Sequence, residues 1–446
     1  MNIGLPKAFA RLAANSVWLS LERFGTATLS LIVAAMVARY LGPADFGKLA
    51  YAFSIAAIFA VLGHLGMEGI IVRELKSDPQ KITETLGTVF GLKLVAYSIA
   101  ALCLLLFAFL TPGHDREDQY IFLFSSIFIA ASALNFISSW FLSRLEGRTI
   151  ALTHLAGTIT SLCFKVALIF AGASVIWFGA ANMLSIFVAA ALMFIAFRRQ
   201  DGPAISKWSF SSERARKLLS EGGIVFVGSI FAIIYLKIDL VMLRWLSEER
   251  VVGEYAVAAQ ISEAAYIIPS AIVASVFPRL IEIKETRPVD YEWRFQQVFD
   301  TLFLASLGVV AGVYLFGGWL LGHLFGSAYS ASSTILLVHI LAAPFIFMRY
   351  AFSRWILIEH VAIYSVLTQG AGAFLNVFLN LILIPQMGGI GAAIATVVSY
   401  VAASYLSLAI WSRTRPIFIK MSRSLFRPIS AVQRVLHSRS NTNGQA

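Results

Sequence analysis

The stretch TLGTVFGLKLVAYSIAALCLLLFAFL, residues 85–110, decides the fold class because it is too long and too apolar for a helix of a soluble domain. A helix rises about 1.5 Å per residue, so about 20 apolar residues cross the roughly 30 Å hydrocarbon core of a bilayer. Lys93 is the one charged residue in this stretch. We therefore predict a transmembrane helix here.

Further stretches of the chain share this character, and the composition agrees with them. The 446 residues are 59% hydrophobic and 13% charged, with a mean hydropathy of +0.79, whereas an ordinary soluble domain is about 25% charged. We predict an all-α, polytopic membrane protein with about twelve transmembrane helices. The predicted spans are residues 15–39, 48–71, 85–110, 119–142, 150–171, 175–197, 220–243, 252–277, 297–320, 331–353, 361–384 and 390–411.

A basic connection divides the predicted helices into two sets of six. It contains Arg198, Arg199, Lys207, Arg214, Arg216 and Lys217. The two sets begin alike, because RYLGPADFGKLAY from Arg39 and RWLSEERVVGEYA from Arg244 both run from the end of one predicted helix into the next. An even number of helices in each set predicts two pseudo-symmetric lobes, an arrangement with which transporters enclose a cavity. The predicted segments are an N-terminus at 1–14, an N-lobe at 15–197, an interlobe linker at 198–219, a C-lobe at 220–412 and a basic tail at 413–446.

The distribution of lysine and arginine predicts the orientation. With the N-terminus in the cytoplasm, the outer loops hold Arg39, Lys48, Arg116, Arg244 and Arg250, and most of the 35 basic residues fall in the inner segments. This is the bias that the positive-inside rule describes. We therefore predict a multi-pass protein of the bacterial cell inner membrane with the linker, the tail and both termini in the cytoplasm.

The sequence also argues against several other classes of protein. The net charge of +11 resides at helix ends rather than on a soluble surface with stacking aromatics, so we predict no nucleic-acid partner. No Walker loop, nucleophile elbow or zinc motif occurs, and the histidines do not cluster at metal-ligand spacing. We predict that the protein is not an enzyme, has no catalytic residues and uses no cofactor or metal.

Charged residues inside the predicted spans are the candidates for a functional site. A charge deep in hydrocarbon costs at least about 2.5 to 3.5 kcal/mol, so it normally faces a partner or a wet cavity. Arg23 and Lys237 lie in the first helix of each predicted lobe, and we predict that both bind an anionic head group, Arg through its bidentate fork and Lys as a point charge. Asp239 and Glu263 are the candidates for coupling transport to an ion or proton.

A polar stripe on the first helix extends this candidate site. Asn15, Trp18, Glu22 and Thr26 recur at three- or four-residue spacing and therefore share one helix face. We predict that Asn15, Trp18 and Glu22 contact the substrate. An aromatic residue such as Trp18 is also common at a membrane interface, so a purely interfacial position for it stays open.

Three further charged residues receive a structural interpretation. Lys93 and Lys165 lie near opposite ends of their predicted spans, where a lysine pairs across helices or extends to the interface. Glu68 lies near Arg73 at an inner helix end and is interpreted as structural too. None of the three is assigned to the substrate path.

Several fragments together resemble one family. They are NSVWLSLERFG in the first span, RYLGPADFGKLAYAFS across the first outer turn, GMEGIIVREL closing the second span, KIDLVMLRWLSEERVVGEYAVAAQISE across the seventh and eighth, and LNLILIPQMGGIGAAIATVVSY across the last two. The chain resembles the Wzx-type polysaccharide biosynthesis flippases of the multidrug/oligosaccharidyl-lipid/polysaccharide (MOP) exporter superfamily. The fragments cover both predicted lobes.

The resemblance implies a MOP/MATE-like fold and a cargo. Two six-helix lobes would alternate between inward and outward openings and pass an undecaprenyl-pyrophosphate-linked oligosaccharide repeat unit to the periplasmic leaflet for O-antigen or exopolysaccharide assembly. Membrane lipids, a polysaccharide polymerase and a chain-length regulator are the expected partners. The charges within the spans are nearly balanced, which departs from the strongly cationic lumen that the family leads one to expect.

Two alternatives remain open on the sequence. A cation-coupled MATE-like drug exporter would have the same two-lobe fold. An integral-membrane glycosyltransferase or polymerase would need catalytic carboxylates in a large outer loop, and the longest outer candidate here is the short segment TPGHDREDQ, residues 111–119. The second alternative is therefore the weaker one.

Overall fold

The structure is a computed structural model that describes residues 5–359, 361, 363–427 and 430, with side chains from residue 14 onward. Most of the residues in these ranges are helical, and none of them is in a strand. Residues 1–4, at the predicted N-terminal segment, and most of the predicted tail beyond Arg427 lie outside the described residues. The all-α prediction is confirmed.

Fifteen α-helices follow one another along the described chain. They are α1 (Leu5–His64), α2 (Glu68–Ser77), α3 (Ile82–Leu110), α4 (Arg116–Ala131), α5 (Ile137–Ser143), α6 (Gly147–Phe170), α7 (Val175–Arg199), α8 (Ser212–Leu246), α9 (Glu249–Ala265), α10 (Ile267–Thr286), α11 (Pro288–Phe325), α12 (Ser332–His339), α13 (Ala343–Ile358), α14 (Ile363–Ser404) and α15 (Arg415–Phe426).

Two of these helices are each a pair of spans joined without a loop. At about 1.5 Å per residue, the 60 residues of α1 would rise about 90 Å, three times the thickness of a hydrocarbon core. Gly42 breaks α1 with φ 77° and ψ 172°, a conformation that glycine adopts readily, and Pro43 follows it. Gly388 breaks the 42-residue α14 in the same way, with φ 54° and ψ −129°.

The number of spans agrees with the sequence. Ten helical segments in the described chain are long and apolar enough to cross a membrane. The segments that contain Gly42 and Gly388 each count twice, because each is broken there. The prediction of a polytopic protein with about twelve transmembrane helices is confirmed.

The chain divides into two compact units, Met1–Val241 and Met242–Ala446. The division falls inside α8 rather than in the predicted linker at 198–219, which belongs wholly to the first unit. In that unit the Trp208 ring packs 5.5 Å from Phe136 and 5.9 Å from Phe90, measured between ring centroids. The assignment of α8 to a second six-helix lobe therefore stays a prediction.

Candidate functional site

Ionisable side chains from three segments of the first unit meet around Glu68. The Glu68 carboxylate lies 3.4 Å from Nδ1 of His64, and Arg23 and Lys93 both interact electrostatically with it. Lys93 is buried, whereas Arg23 is exposed. We call these four residues the Arg23 cluster. It holds the two basic side chains of Arg23 and Lys93 around one carboxylate, an excess of basic groups among otherwise apolar helices.

A tight turn positions Glu68 in this cluster. Helix α1 ends at His64 because Leu65 and Gly66 both adopt left-handed backbone conformations, with φ of 53° and 66°. A Cβ atom on Gly66 would lie 2.4 Å from the carbonyl oxygen of Gly222 and 2.6 Å from the amide nitrogen of Phe226, so the turn packs directly on the backbone of α8. Glu68 then opens α2, where the helix dipole favours a carboxylate.

The predicted polar stripe of α1 faces α6. The buried Asn15 accepts a hydrogen bond of 2.6 Å through its Oδ1 from the amide of Gly147, the first residue of α6. This contact ties the start of α6 to α1, because the amide groups of a first helical turn have no partner within their own helix. Asn15 therefore has a structural contact, and its predicted role in substrate binding stays a prediction.

The next two residues of the stripe also contact α6. The Arg148 guanidinium lies 5.6 Å from the centre of the Trp18 ring, and Nδ1 of His154 lies 4.0 Å from a carboxylate oxygen of Glu22. Arg23 follows Glu22 in the chain but lies about 100° around the helix from it, so the Arg23 cluster is next to the stripe and not on the same face. The substrate-binding roles of Trp18, Glu22 and Arg23 stay predictions.

The lysines and the glutamate given a structural interpretation have separate environments. Lys165 donates a 2.8 Å hydrogen bond to Oδ1 of Asn182 on α7, which agrees with pairing across helices. Lys93 is buried near Glu68, so it does not extend to the interface. Glu68 contacts His64, whereas its neighbour in the sequence, Arg73, forms an ion pair with Glu221.

The other predicted site residues lie on α8 and α9. Lys237 is half-buried on α8, and Asp239, two residues further on, is buried. Glu263 is half-buried near the end of α9 in the second unit. Glu263 interacts electrostatically with the phenol of the buried Tyr266, as do Tyr350 and Tyr400. A polar group of one carboxylate and three phenols therefore lies within the second unit.

A second charged cluster in the first unit has the opposite balance of charge. The buried Arg214 of α8 is within 3.5 Å of carboxylate oxygens of Glu74, Asp78 and Glu84, and Lys217 lies 2.9 Å from Glu74. We call these five residues the Arg214 clasp. Arg214 belongs to the segment that the sequence predicted as a linker, and the clasp holds that segment against α2 and α3.

Three residues that contact the candidate site were not identified from the sequence, His64, Arg148 and His154, and Glu68 and Lys93 received a structural interpretation there. His64 and Glu68 were detectable from their spacing of four residues, which places two side chains on one face of a helix. For Arg148 and His154 no local signal exists, because their partners lie more than a hundred positions away along the chain.

Curated relatives of this chain are named as transporters of glycans. It is 22% identical over 407 residues to a probable low-salt glycan biosynthesis flippase of Haloferax volcanii, covering 89% of this chain and 82% of that protein. It is 25% identical over 399 residues to a putative O-antigen transporter of Shigella flexneri, covering 85% of this chain and 93% of that one. Both alignments extend over both compact units.

Solved structures of similar fold include a flippase and a MATE transporter. The lipid II flippase MurJ in an inward closed conformation matches with a TM-score of 0.68 at 15% identity, covering 93% of this chain and 92% of that one. The MATE transporter VcmN of Vibrio cholerae matches with a TM-score of 0.62 at 12% identity, covering 93% and 97%. At such identities the likeness establishes the MOP-type fold alone.

A family profile decides the assignment. The profile of the polysaccharide biosynthesis protein family matches residues 12–284, which is more than half of the chain and includes every residue of the Arg23 cluster. The resemblance to flippases of the MOP superfamily is confirmed by this match together with the named relatives. The chain belongs to the polysaccharide biosynthesis protein family of multi-pass membrane transporters.

Proposed function

We propose that the protein flips undecaprenyl-pyrophosphate-linked oligosaccharide repeat units from the cytoplasmic to the periplasmic leaflet of the bacterial inner membrane, by alternating access. The observation that carries the proposal is the Arg23 cluster, two cations around one carboxylate within apolar helices of a family named for polysaccharide biosynthesis. The flipped unit would supply O-antigen or exopolysaccharide assembly. Both termini lie in the cytoplasm, as the basic inner segments favour.

The chemistry of a lipid-linked sugar fits this cluster. A pyrophosphate carries negative charge that must cross hydrocarbon, while its polyprenyl tail remains soluble in the bilayer. The exposed guanidinium of Arg23 supplies paired donors to phosphate oxygens, and the buried Lys93 adds a point charge behind it. Trp18 and Glu22, further along α1, suit a sugar ring, because an aromatic face packs on its C–H groups and a carboxylate accepts from its hydroxyls.

Lys237, Asp239 and Glu263 complete the proposal. Lys237 contributes a further cation for the head group, and Asp239 or Glu263 binds the coupling ion or proton. Glu263 is the stronger coupling candidate, because the neighbouring phenol of Tyr266 offers a further oxygen in a buried setting. Delivery of the unit to a polysaccharide polymerase and chain-length regulator follows on the periplasmic side.

A flipping assay with matched variants tests the assignment. Cells that carry Arg23→Ala or Lys237→Ala, at matched membrane expression, should accumulate lipid-linked repeat units that an outside probe cannot reach, with at least tenfold less surface polysaccharide. Arg199→Gln, an exposed arginine at the end of α7, is the charge-matched control and should transport normally. Wild-type transport by both Arg23→Ala and Lys237→Ala would refute the site.

A cation-coupled drug exporter is the second candidate, and the likeness to MATE transporter structures favours it. It predicts that deleting the gene sensitises cells to amphipathic cationic drugs while lipid-linked sugars still reach the outer leaflet. The flippase proposal predicts that the deletion leaves drug sensitivity unchanged and that lipid-linked sugars no longer reach the outer leaflet. Both measurements can be made on the same deletion strain.

A further inference from the structure

Helix α15 has two faces of different character. Its buried residues are Ile417, Lys420, Met421 and Ser424, which lie together on one side of the helix. The opposite side carries Arg415, Ile419, Arg423 and Phe426, all exposed. At 100° per residue these four positions fall within an arc of about 80°, so they form one surface. We call it the α15 outer face.

The buried side fixes α15 to the start of α11. The Ser424 hydroxyl donates to Oδ1 of Asp300 at 2.6 Å, and the side-chain amide of Gln296 donates to the Lys420 carbonyl at 3.1 Å. The Lys420 ammonium lies 2.8 Å from the Glu292 carboxylate. Three turns of α11 therefore hold α15 in place, and the orientation of its outer face is determined by packing.

This docking puts α15 at the cytoplasmic end of the second unit. The first turns of α11 follow the inner segment that carries Lys284 and Arg287, which the positive-inside rule assigns to the cytoplasm. Trp293 in the same turns is 40% exposed, as is common for tryptophan at the boundary between hydrocarbon and head groups. The outer face therefore lies at the level of the inner-leaflet head groups.

The charges of the outer face are uncompensated within the described chain. Arg415 and Arg423 form no ion pair with a described carboxylate, and neither do the flanking Arg413 and Arg427, whereas Lys420 on the buried side is paired. Arg415 donates through Nε to the Ala409 carbonyl, which leaves its terminal nitrogens available. Ile419 and Phe426 lie between these arginines, and Phe426 is 76% exposed.

Alternating arginines and large apolar side chains on one helix face fit one kind of partner. A helix that lies in a bilayer interface inserts its apolar side chains beside the acyl chains while its basic residues meet negative head groups. An acidic protein would satisfy the arginines but would leave no reason for an exposed Phe426. We propose that the α15 outer face is a docking surface for anionic phospholipids of the inner leaflet.

Fluorescence quenching in nanodiscs tests this docking surface on the full chain. Bimane is attached at Phe426→Cys in a protein whose native cysteines are replaced by Cys103→Ala and Cys163→Ala. The discs contain phosphatidylcholine and phosphatidylglycerol in a fixed ratio, and one lipid or the other is brominated. We expect brominated phosphatidylglycerol to quench the bimane several-fold more strongly, relative to its mole fraction, than brominated phosphatidylcholine, and 0.5 M salt to reduce this preference.

Two double variants identify the origin of the preference. Arg415→Gln with Arg423→Gln should lower it about fivefold or more, because each basic residue near an anionic surface contributes roughly a fivefold preference. Arg198→Gln with Arg199→Gln removes the same charge from the exposed end of α7 and should leave the preference unchanged. Equal loss in both double variants would overturn the proposal, since net charge alone would then explain it.

Two other outcomes would also refute the docking surface. Equal quenching by the two brominated lipids would mean that the face meets the bilayer without selecting anionic head groups. No quenching by either lipid would mean that the face lies away from the bilayer, as expected if a partner protein covered it. The readout does not involve transport, so the flippase proposal can fail or hold independently.

Discussion

The two charged clusters of the first unit use the same residue types in opposite proportions. In the Arg214 clasp, three carboxylates lie around two cations, the buried Arg214 and Lys217, so one negative charge is in excess. In the Arg23 cluster, two cations share one carboxylate. The clasp pairs its buried guanidinium with carboxylates of the protein itself and so stabilises the fold. The Arg23 cluster keeps an excess of basic groups for an anionic ligand, and its residues should contribute little to the free energy of unfolding.

The largest loss of stability is expected for Arg214→Met. The substitution leaves the buried Glu74 without its guanidinium partner, and breaking a buried ion pair from one side typically costs about 3 to 5 kcal/mol. Denaturant unfolding of the purified protein in detergent measures this cost. Arg216→Met, two residues away on the exposed side of α8, should change the unfolding free energy by less than about 0.5 kcal/mol.

A somewhat smaller loss is expected for Gly66→Ala in the turn that positions Glu68. A left-handed alanine costs about 1 to 2 kcal/mol, and its Cβ would meet the backbone of α8 at 2.4 Å. Gly69→Ala is the matched control, because this helical glycine has open space around it and alanine favours helix. If the two variants unfolded alike, the close packing of the turn on α8 would be wrong.

Arg23→Gln should cost less than about 1 kcal/mol of stability, because the guanidinium is exposed and an exposed ion pair contributes little to the free energy of unfolding. Transport should nevertheless fall at least tenfold, as for Arg23→Ala. Unfolding and flipping measured on the same preparation separate the two effects. If Arg23→Gln destabilised the protein as much as Arg214→Met, the proposed difference between the two clusters in their contribution to stability would be wrong.

The smallest effect concerns Asp115, which caps α4 outside the spans. Burial alone would raise the pKa of Asp115, but hydrogen bonds from Lys48 and the Asp118 amide outweigh it and hold that pKa below its usual range. A lowered carboxyl pKa contributes stability that is present above the unfolded-state value of about 3.9 and is lost as the pH falls through the folded-state value.

Asp115→Asn keeps a capping side chain and removes only the charge. The difference in unfolding midpoint between this variant and the wild type should be small at pH 7 and should vanish only when the pH falls below the lowered folded-state pKa of Asp115, where the carboxyl is protonated in both states. If the difference in unfolding midpoint stayed constant from pH 7 down to this acidic pH, Lys48 would not stabilise the fold through the Asp115 charge. Lys48→Met should also reduce the pH dependence.

The fold was predictable because it depends on local properties of the sequence. Segments such as 85–110 cross a bilayer by length and hydropathy alone, whatever their neighbours. The kinks were less visible, since Gly42 and Gly388 stand in a sequence with 31 glycines and only the structure shows which ones adopt a positive φ.

The candidate site was only partly predictable because ion pairs form between distant segments. Arg23 and Glu22 were identified by the cost of charge in hydrocarbon. The partners Glu68 and His154 depend on how α1 packs against other helices. Arg214 was assigned to a linker because its three acidic partners, Glu74, Asp78 and Glu84, are spread over eleven positions far upstream.

The breaks at Gly42 and Gly388 also affect where the chain can accommodate an insertion. At each of them one helix passes into the next through a single non-helical glycine, so an epitope tag inserted there would have to force two packed helices apart. The exposed residues 112–113 between α3 and α4 have no such restriction, although Asp115 just beyond them is held by Lys48. The α3–α4 turn should therefore be accessible to antibodies and proteases and should tolerate an inserted tag, whereas the helix breaks at Gly42 and Gly388 should not.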